Sequence, residues 1–248
     1  MNRNRWMGKV RRLTLPGLAV AAALSLALAL SLSGCVNVAT YTQPTLVRVI
    51  DASYIAPAFN VLVEGSIIAG NVGQGTISPY ATLPASTAAP IKITNAATGD
   101  SMTTTSNPLL VGHQYSVFLS DESGTPSGYT VSVLTDQQIS APTGHSEFRF
   151  LNQAIKTGAV NVYMIPVGVT LANSIPIVGN LPVGASNNYI DFTSQTVTMV
   201  VTPAGKTTPS YTSPAIYLVG GEVRTVLLVD AQLTSNPPVE AFIASDVN

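Results

Sequence analysis

Few residues in this 248-residue chain carry groups that could do chemistry near neutral pH. There is one thiol, at Cys35, and there are two imidazoles, at His113 and His145. A Ser or Thr nucleophile needs a base within reach to take its proton. His113 falls in a turn before an apolar run, and His145 falls in a turn-rich connector. Neither belongs to a partner pattern, so both read as exposed turn residues and no catalytic residue is assigned. No Cys pair or His-rich motif is present, so no metal site and no cofactor is expected. Asp121, Glu122 and Asp136 carry oxygens that suit Ca²⁺, but they lack the spacing of a ligand loop and read as solvated turn acids. Gly70-Asn-Val-Gly-Gln-Gly75 is glycine-rich, yet its order does not fit a dinucleotide loop and no helix follows. It reads as a connection between strands. Nine tyrosines follow Cys35 and could stack on sugars, but the single Trp, Trp6, lies in the leader, which weakens a lectin reading.

The sequence around Cys35 gives that thiol a specific role. Arg3, Arg5, Lys9, Arg11 and Arg12 precede an uncharged run from Leu18 to Leu32, and no acid appears before Asp51. A basic start followed by an apolar run is the layout of a secretory signal. As a helix the run spans roughly 22 Å at ~1.5 Å per residue, short of the ~30 Å hydrocarbon core. Counting back to Leu13 would give just enough length to cross, so length alone does not separate a signal from a membrane span. Leu32-Ser33-Gly34-Cys35 follows, and it resembles the lipobox of bacterial lipoproteins. That resemblance implies cleavage before Cys35, a diacylglyceryl thioether on its sulfur, and acylation of the new amino group by a palmitate-type chain. One chain holds a protein only marginally at about 0.8 kcal/mol per methylene, whereas three anchor it stably. The flanks of Arg11-Arg12 match a folded-export signal poorly, which favours export of the unfolded chain. Val36 stands where many lipoproteins retained at the inner membrane have Asp, which favours the outer membrane in a host that has one.

Five of the eleven basic residues lie in the leader. After Cys35, six basic residues face twelve acids, a formal charge of −6. Nucleic-acid binding needs Lys and Arg against phosphates, so that class is excluded. Without a second cysteine there is no disulfide, and stability must come from burial. The remainder is rich in Ser, Thr, Val, Ala, Gly and Pro and low in charge. Such β-branched and turn-forming residues indicate an all-β protein, too apolar for general disorder.

Two stretches resemble each other in order and spacing. Arg48-Val-Ile-Asp-Ala and Arg149-Phe-Leu-Asn-Gln open them. Ala58-Phe-Asn-Val61 and Ala159-Val-Asn-Val162 follow at equal distance. Gly75 and Tyr80 match Gly184 and Tyr189 after an insertion in the second stretch. Gly112 to Asp121 matches Gly221 to Asp230. Duplication explains this better than chance. Each stretch reads as short strands: Leu46 to Ile50, a hairpin over Asn60–Val63 and Ser66–Ala69 turning at Glu64-Gly65, then Ile91–Thr94, Tyr115–Leu119 and Tyr129–Leu134. Val197–Thr202, Thr225–Val229 and Val239–Ala244 are counterparts. In the first strand Val47 and Val49 share a face and Arg48 points away; Phe148, Phe150 and Arg149 repeat that alternation. Tyr80 and Tyr189 read as packing residues with hydrogen-bonded hydroxyls. Arg48 and Arg149 are each expected to make a structural contact within their own domain, with a strand-end acid such as Asp121 or Asp230.

Arg48 to Gly65 (RVIDASYIAPAFNVLVEG) resembles the opening of domain-of-unknown-function family 4397. Ala52, Ser53, Ala56, Pro57, Ala58, Val61, Val63 and Gly65 match its pattern. Asp51 stands for the family's His, Tyr54 for a Pro, and Ile55 and Asn60 for its two acids. The second stretch keeps Arg149, Ala159, Val162 and Tyr163. The resemblance implies immunoglobulin-like β-sandwich modules in exported bacterial proteins, and no activity.

The resulting expectation is an all-β chain of two tandem immunoglobulin-like β-sandwich domains after a helical signal peptide. Residues 1–34 form the lipoprotein signal, 35–45 the lipidated Cys and spacer, 46–139 the first sandwich, 140–146 the linker and 147–248 the second sandwich. The expected function is that of a non-enzymatic, lipid-anchored module of the cell envelope for binding, adhesion or spacing. Its expected partners are the membrane and an envelope protein or glycan. The alternatives are an extracytoplasmic hydrolase using paired carboxylates and an accessory subunit of an envelope assembly.

Overall fold

The computed structural model describes residues 43–122, 128–231 and 235–247. The leader, Leu32, Ser33, Gly34, Cys35 and most of the spacer lie outside the described residues. The first half holds strands β1 (Thr45–Asp51), β2 (Phe59–Val63), β3 (Ser66–Val72), β4 (Ala81–Leu83), β5 (Ser86–Asn95), β6 (Ser101–Leu109), β7 (Gln114–Asp121) and β8 (Tyr129–Asp136). The second holds β9 (His145–Asn152), β10 (Val160–Pro166), β11 (Val178–Leu181), β12 (Ile190–Thr193), β13 (Thr196–Pro203), β14 (Tyr211–Tyr217), β15 (Val223–Asp230) and β16 (Val239–Ser245). A 3-10 turn at Leu171–Asn173 is the one helical element among the described residues.

Each half is a sandwich of two four-stranded sheets. In the first, β4-β1-β7-β8 faces β3-β2-β5-β6; in the second, β12-β9-β15-β16 faces β11-β10-β13-β14. Adding eight to each strand number converts one order into the other. The central pairs, β1 with β7 and β9 with β15, are parallel, and all other pairings are antiparallel. Parallel neighbours need a long crossover. Here the crossover is the rest of each sandwich.

Alternation explains the layering, because successive side chains of a strand face opposite sides. Val47 and Val49 of β1, Val117 and Leu119 of β7, and Phe59, Val61, Ile91 and Ile93 from the facing sheet fill the first core. Phe148, Phe150, Val226 and Leu228 meet Val160, Val162, Met199 and Val201 in the second. The opposite faces of β1, β7, β9 and β15 are not solvated. Ile50, Ala52 and Phe118 pack against Leu151, Leu227, Val229 and Ala244 in a third cluster that joins the two sandwiches. Every residue of β7 is buried, as a strand covered on both faces requires. Thr42–Asn248 accordingly forms one compact unit.

Several strands depart from expectation. Gly70 to Val72 belongs to β3 rather than to a connecting loop. His145 and Ser146 open β9 rather than ending the linker. β6 (SMTTTSNPL) is polar and partly exposed, so it carries little apolar signal. The hairpin turn places Glu64 at φ 50° and Gly65 at φ 82°, the two left-handed positions of a tight I′ hairpin. In the second sandwich residues 167–177 replace that turn, which locates the insertion between β10 and β11.

Candidate functional site

The junction between the sandwiches concentrates the buried charge. Arg48 of β1 is 2% exposed and Arg149 of β9 is 5% exposed. Arginine is almost never buried without partners, and here the partners are exchanged. Arg48 donates to Asp246, which follows β16 of the other sandwich, and to the Ser245 carbonyl. Arg149 donates to Asp136 Oδ1 at the end of β8 at 2.6 Å and to the Thr135 carbonyl at 2.8 Å. Each arginine thus hydrogen-bonds a carboxylate across the junction, while Arg48 also lies 3.7 Å from Asp136 of its own sandwich and each Nε bonds a hydroxyl of its own sandwich. Asp136 and Asp246 are the partners, in place of Asp121 and Asp230.

Local donors prepare each carboxylate. Asp136 Oδ2 accepts from the Tyr80 hydroxyl at 2.7 Å and from Ser116 Oγ at 2.6 Å. Asp246 Oδ2 accepts from Tyr189 at 2.8 Å and from Thr225 Oγ1 at 2.7 Å. Ser116 and Thr225 in turn accept from Nε of Arg48 and Arg149, at 2.7 and 3.1 Å. Each guanidinium also lies over a ring of its own sandwich: Arg48 is 4.9 Å from the centre of Tyr80 and Arg149 is 4.8 Å from that of Tyr189. Such a contact attracts a cation to the ring face. Burial opposes the charge on Arg48, but Asp136 and Asp246 together outweigh it and hold its pKa above the ordinary arginine value. Burial, with the neighbouring carboxylates, raises both tyrosine hydroxyls beyond their usual range, so they remain neutral donors. The network is closed and its hydrogen bonds are internally satisfied. It joins the facing surfaces of the two sandwiches.

Asp121 and Asp230 have a different task at the other ends of β7 and β15. Asp121 accepts from Ser53 Oγ and from the Tyr54 amide at 2.9 Å. Asp230 accepts from the amides of Lys156 and Thr157, at 2.7 and 3.1 Å, and from Thr157 Oγ1 at 2.7 Å. Each holds the loop between the first two strands of its sandwich. Beside Asp121 lies Asp51, 0% exposed. Its Oδ1 accepts from the Ser53 amide at 2.9 Å, while Oδ2 has no partner among the described residues. Burial pushes its pKa up to about 7, and the nearby Asp121 adds to the rise. Asn152 occupies the matching place in the second sandwich and donates to the carbonyls of Gly158 and Leu181, both at 2.9 Å.

The expected turn acids do not form a cation site. Asp121 pairs with Tyr129 and Asp136 with Gln114 at opposite ends of the β7–β8 ladder. Among the described residues no three His, Cys, Asp or Glu side chains form a metal-binding group. His145 Nδ1 meets Asp191 Oδ2 at 2.8 Å, a pairing between β9 and β12 that sequence spacing did not reveal. Among the described residues no hydroxyl donates to this histidine. His113 Nδ1 lies 3.0 Å from the Val111 carbonyl in its turn.

One open cleft stands apart from these closed clusters. It has a volume of about 560 Å³ and lies where the β9–β10, β13–β14 and β15–β16 loops converge. Lys156, Lys206, Thr208, Ser210 and Asn236 line it between walls of Pro203, Pro209, Pro237 and Pro238. Sequence reading missed it, because the three loops are far apart along the chain.

The family model described as Domain of unknown function (DUF4397) matches residues 45–163, which runs through the first sandwich into β10. No curated protein matches the chain. Among solved structures, the crystal structure of CBMbc (family CBM26) from Eubacterium rectale Amy13K in complex with maltoheptaose is similar at 9% identity and a TM-score of 0.22. That alignment covers 79% of this chain and 96% of the other. No helix among the described residues is long and apolar enough to cross a membrane.

Proposed function

We propose that this protein is a lipid-anchored, non-enzymatic binding module of the bacterial cell envelope. Cys35 carries the lipid, and a second, diverged copy of the DUF4397-like domain follows the first. The observation that carries this reading is the fate of the recurring polar residues. Arg48, Arg149, Tyr80 and Tyr189 are all spent on joining the two sandwiches. The resulting body is stiff, and its polar concave surface lies at loop ends, where binding residues concentrate on rigid scaffolds.

The carboxylate-hydrolase alternative has its strongest support in Asp51 and Asp121, since one carboxyl with a raised pKa beside another suits acid–base work. Asp51, however, is fully buried and lines neither the lysine-bearing cleft nor the one that reaches Arg48 and Tyr80. That burial weighs against the hydrolase alternative.

Mass spectrometry of the purified protein tests the anchor. A mature N-terminus at Cys35 carrying three acyl chains is expected, and Cys35→Ala should move the protein out of the membrane fraction. An unmodified Cys35, or an alanine variant that stays in the membrane, overturns the lipoprotein reading. Crosslinking in intact cells then identifies what the module holds.

A further inference from the structure

The lysine-bearing cleft of the second sandwich deepens that reading by naming a ligand class. Only three lysines follow Cys35, at 92, 156 and 206. Two of them, both exposed, line this single cleft, although they lie on loops fifty residues apart in sequence. Among the described residues no acidic side chain lines it. Among the described residues neither lysine pairs with a carboxylate: the ion pairs use Arg48, Arg149, Arg224 and His145 instead. Asp230 does bond to the Lys156 loop, but through backbone amides and Thr157. The acid thereby fixes the loop and leaves the Lys156 ammonium unpaired. Lys206 closes a turn by donating its amide to the Pro203 carbonyl at 3.0 Å, which fixes the backbone that carries the second lysine at the cleft.

The first sandwich lacks these charges. Ile55 takes the place of Lys156 in the β1–β2 loop, and the β5–β6 loop carries Asp100 where the β13–β14 loop carries Lys206. A positive cleft in a stretch that carries −6 after Cys35 is a local feature of one loop cluster, not a consequence of composition.

We propose that this cleft binds an anionic saccharide, its carboxylate or sulfate held between Lys156 and Lys206. Thr208, Ser210 and Asn236 offer hydroxyl and amide groups to ring hydroxyls, and the four prolines give rigid apolar walls for C–H faces. Exposed lysines bind anions as point charges. The concave shape suits a chain or chain end more than a flat bilayer. Among the described residues no aromatic side chain lines the cleft, which disfavours neutral sugars held by stacking alone.

The inference rests on the binding-module reading, and its test separates the two. The full-length protein in neutral detergent is titrated calorimetrically with a tetragalacturonate, its methyl ester and a heparin-derived tetrasaccharide. At least one acidic oligomer is expected to bind, more weakly at higher salt. The ester should bind at least about tenfold more weakly than the free acid, and Lys156→Ala with Lys206→Ala should cost about tenfold or more. Lys92→Ala, an exposed lysine outside the cleft, should change nothing. Failure of both acidic oligomers to bind, equal binding of ester and acid, or unaltered binding by the double variant at unchanged Tm overturns the proposal. So does binding only of inorganic phosphate or of phosphatidylglycerol vesicles, which would assign the lysines to a phosphate group. A chain that binds the oligomer yet lacks lipid on Cys35 keeps this site and loses the anchor; an anchored chain that binds neither does the reverse.

Discussion

Asp51 is the residue whose chemistry departs most from its surroundings. It ends β1 beside Asp121 and the β1–β2 loop, with one oxygen bonded and the other unpartnered among the described residues. A neutral carboxylic acid can donate from that second oxygen, as the Asn152 amide does at the matching place. Its folded pKa of about 7 lies above the ordinary value near 3.8. An acid raised on folding contributes stability that is complete below its unfolded pKa and is lost as pH rises through its folded one. The window therefore runs from about pH 4 to pH 7, and its full depth is roughly 4 kcal/mol at ~1.4 kcal/mol per unit. The wild type should melt at a lower temperature at pH 8 than at pH 5. Asp51→Asn removes the titration and should raise Tm at pH 8, with little change at pH 4. Equal pH dependence in both proteins would assign the loss of stability to other groups.

At the scale of the strand, alternation reads one face correctly and misassigns the other. Val47, Val49, Phe148 and Phe150 were legible as core because apolar residues at a period of two mark a buried face. Arg48 and Arg149 were legible as recurrent, but not as buried between sandwiches. A charge opposite an apolar face ordinarily faces water, and nothing in one strand reports that a second sheet covers it. The partners were misread for the same reason: Asp121 and Asp230 share strands with the core, whereas Asp136 and Asp246 lie at the ends of strands from the opposite sandwich. The crossed pairing has a measurable signature. Asp246→Asn leaves the Arg48 guanidinium buried without its hydrogen-bonded carboxylate, with Asp136 remaining at 3.7 Å, and Arg48→Met leaves Asp246 short of its cation. Each should cost about 3–5 kcal/mol in denaturant unfolding. The double variant strands neither charge and should cost less than the sum by ~1–3 kcal/mol. Strict additivity would mean that the pair does not interact. Gly75 makes a second contact of this kind. It sits at φ 69°, and an added Cβ would stand 2.5 Å from the Phe242 ring of the other sandwich. Gly75→Ala should destabilise the protein by at least about 1 kcal/mol, and less in a Phe242→Ala background, where that clash is gone.

For the whole molecule these contacts decide whether the chain has one folding unit or two. Residues 46–139 and 147–248 read as separate domains because each contains a complete set of strands and its own core. Their junction changes the energetics. Phe118, Leu151 and Ile50 are buried there at no more than 1% exposure, and each arginine has its hydrogen-bonded carboxylate only when both sandwiches are present. Splitting the chain would bare an apolar sheet face and leave Arg48 and Arg149 without Asp246 and Asp136. Interfaces that are large and apolar suppress the domain motion otherwise expected of tandem modules. The full chain should therefore unfold in one calorimetric transition whose van't Hoff and calorimetric enthalpies agree. Residues 140–248 produced alone should aggregate or show an exposed apolar surface by dye binding, while adding the first sandwich in trans should restore a soluble complex. Two resolved transitions in the intact chain, or a second half that stays monomeric with native-like dispersion in its NMR spectrum, would show that the sandwiches are independent. The exchanged arginines would then be a contact between finished domains rather than part of the folding core.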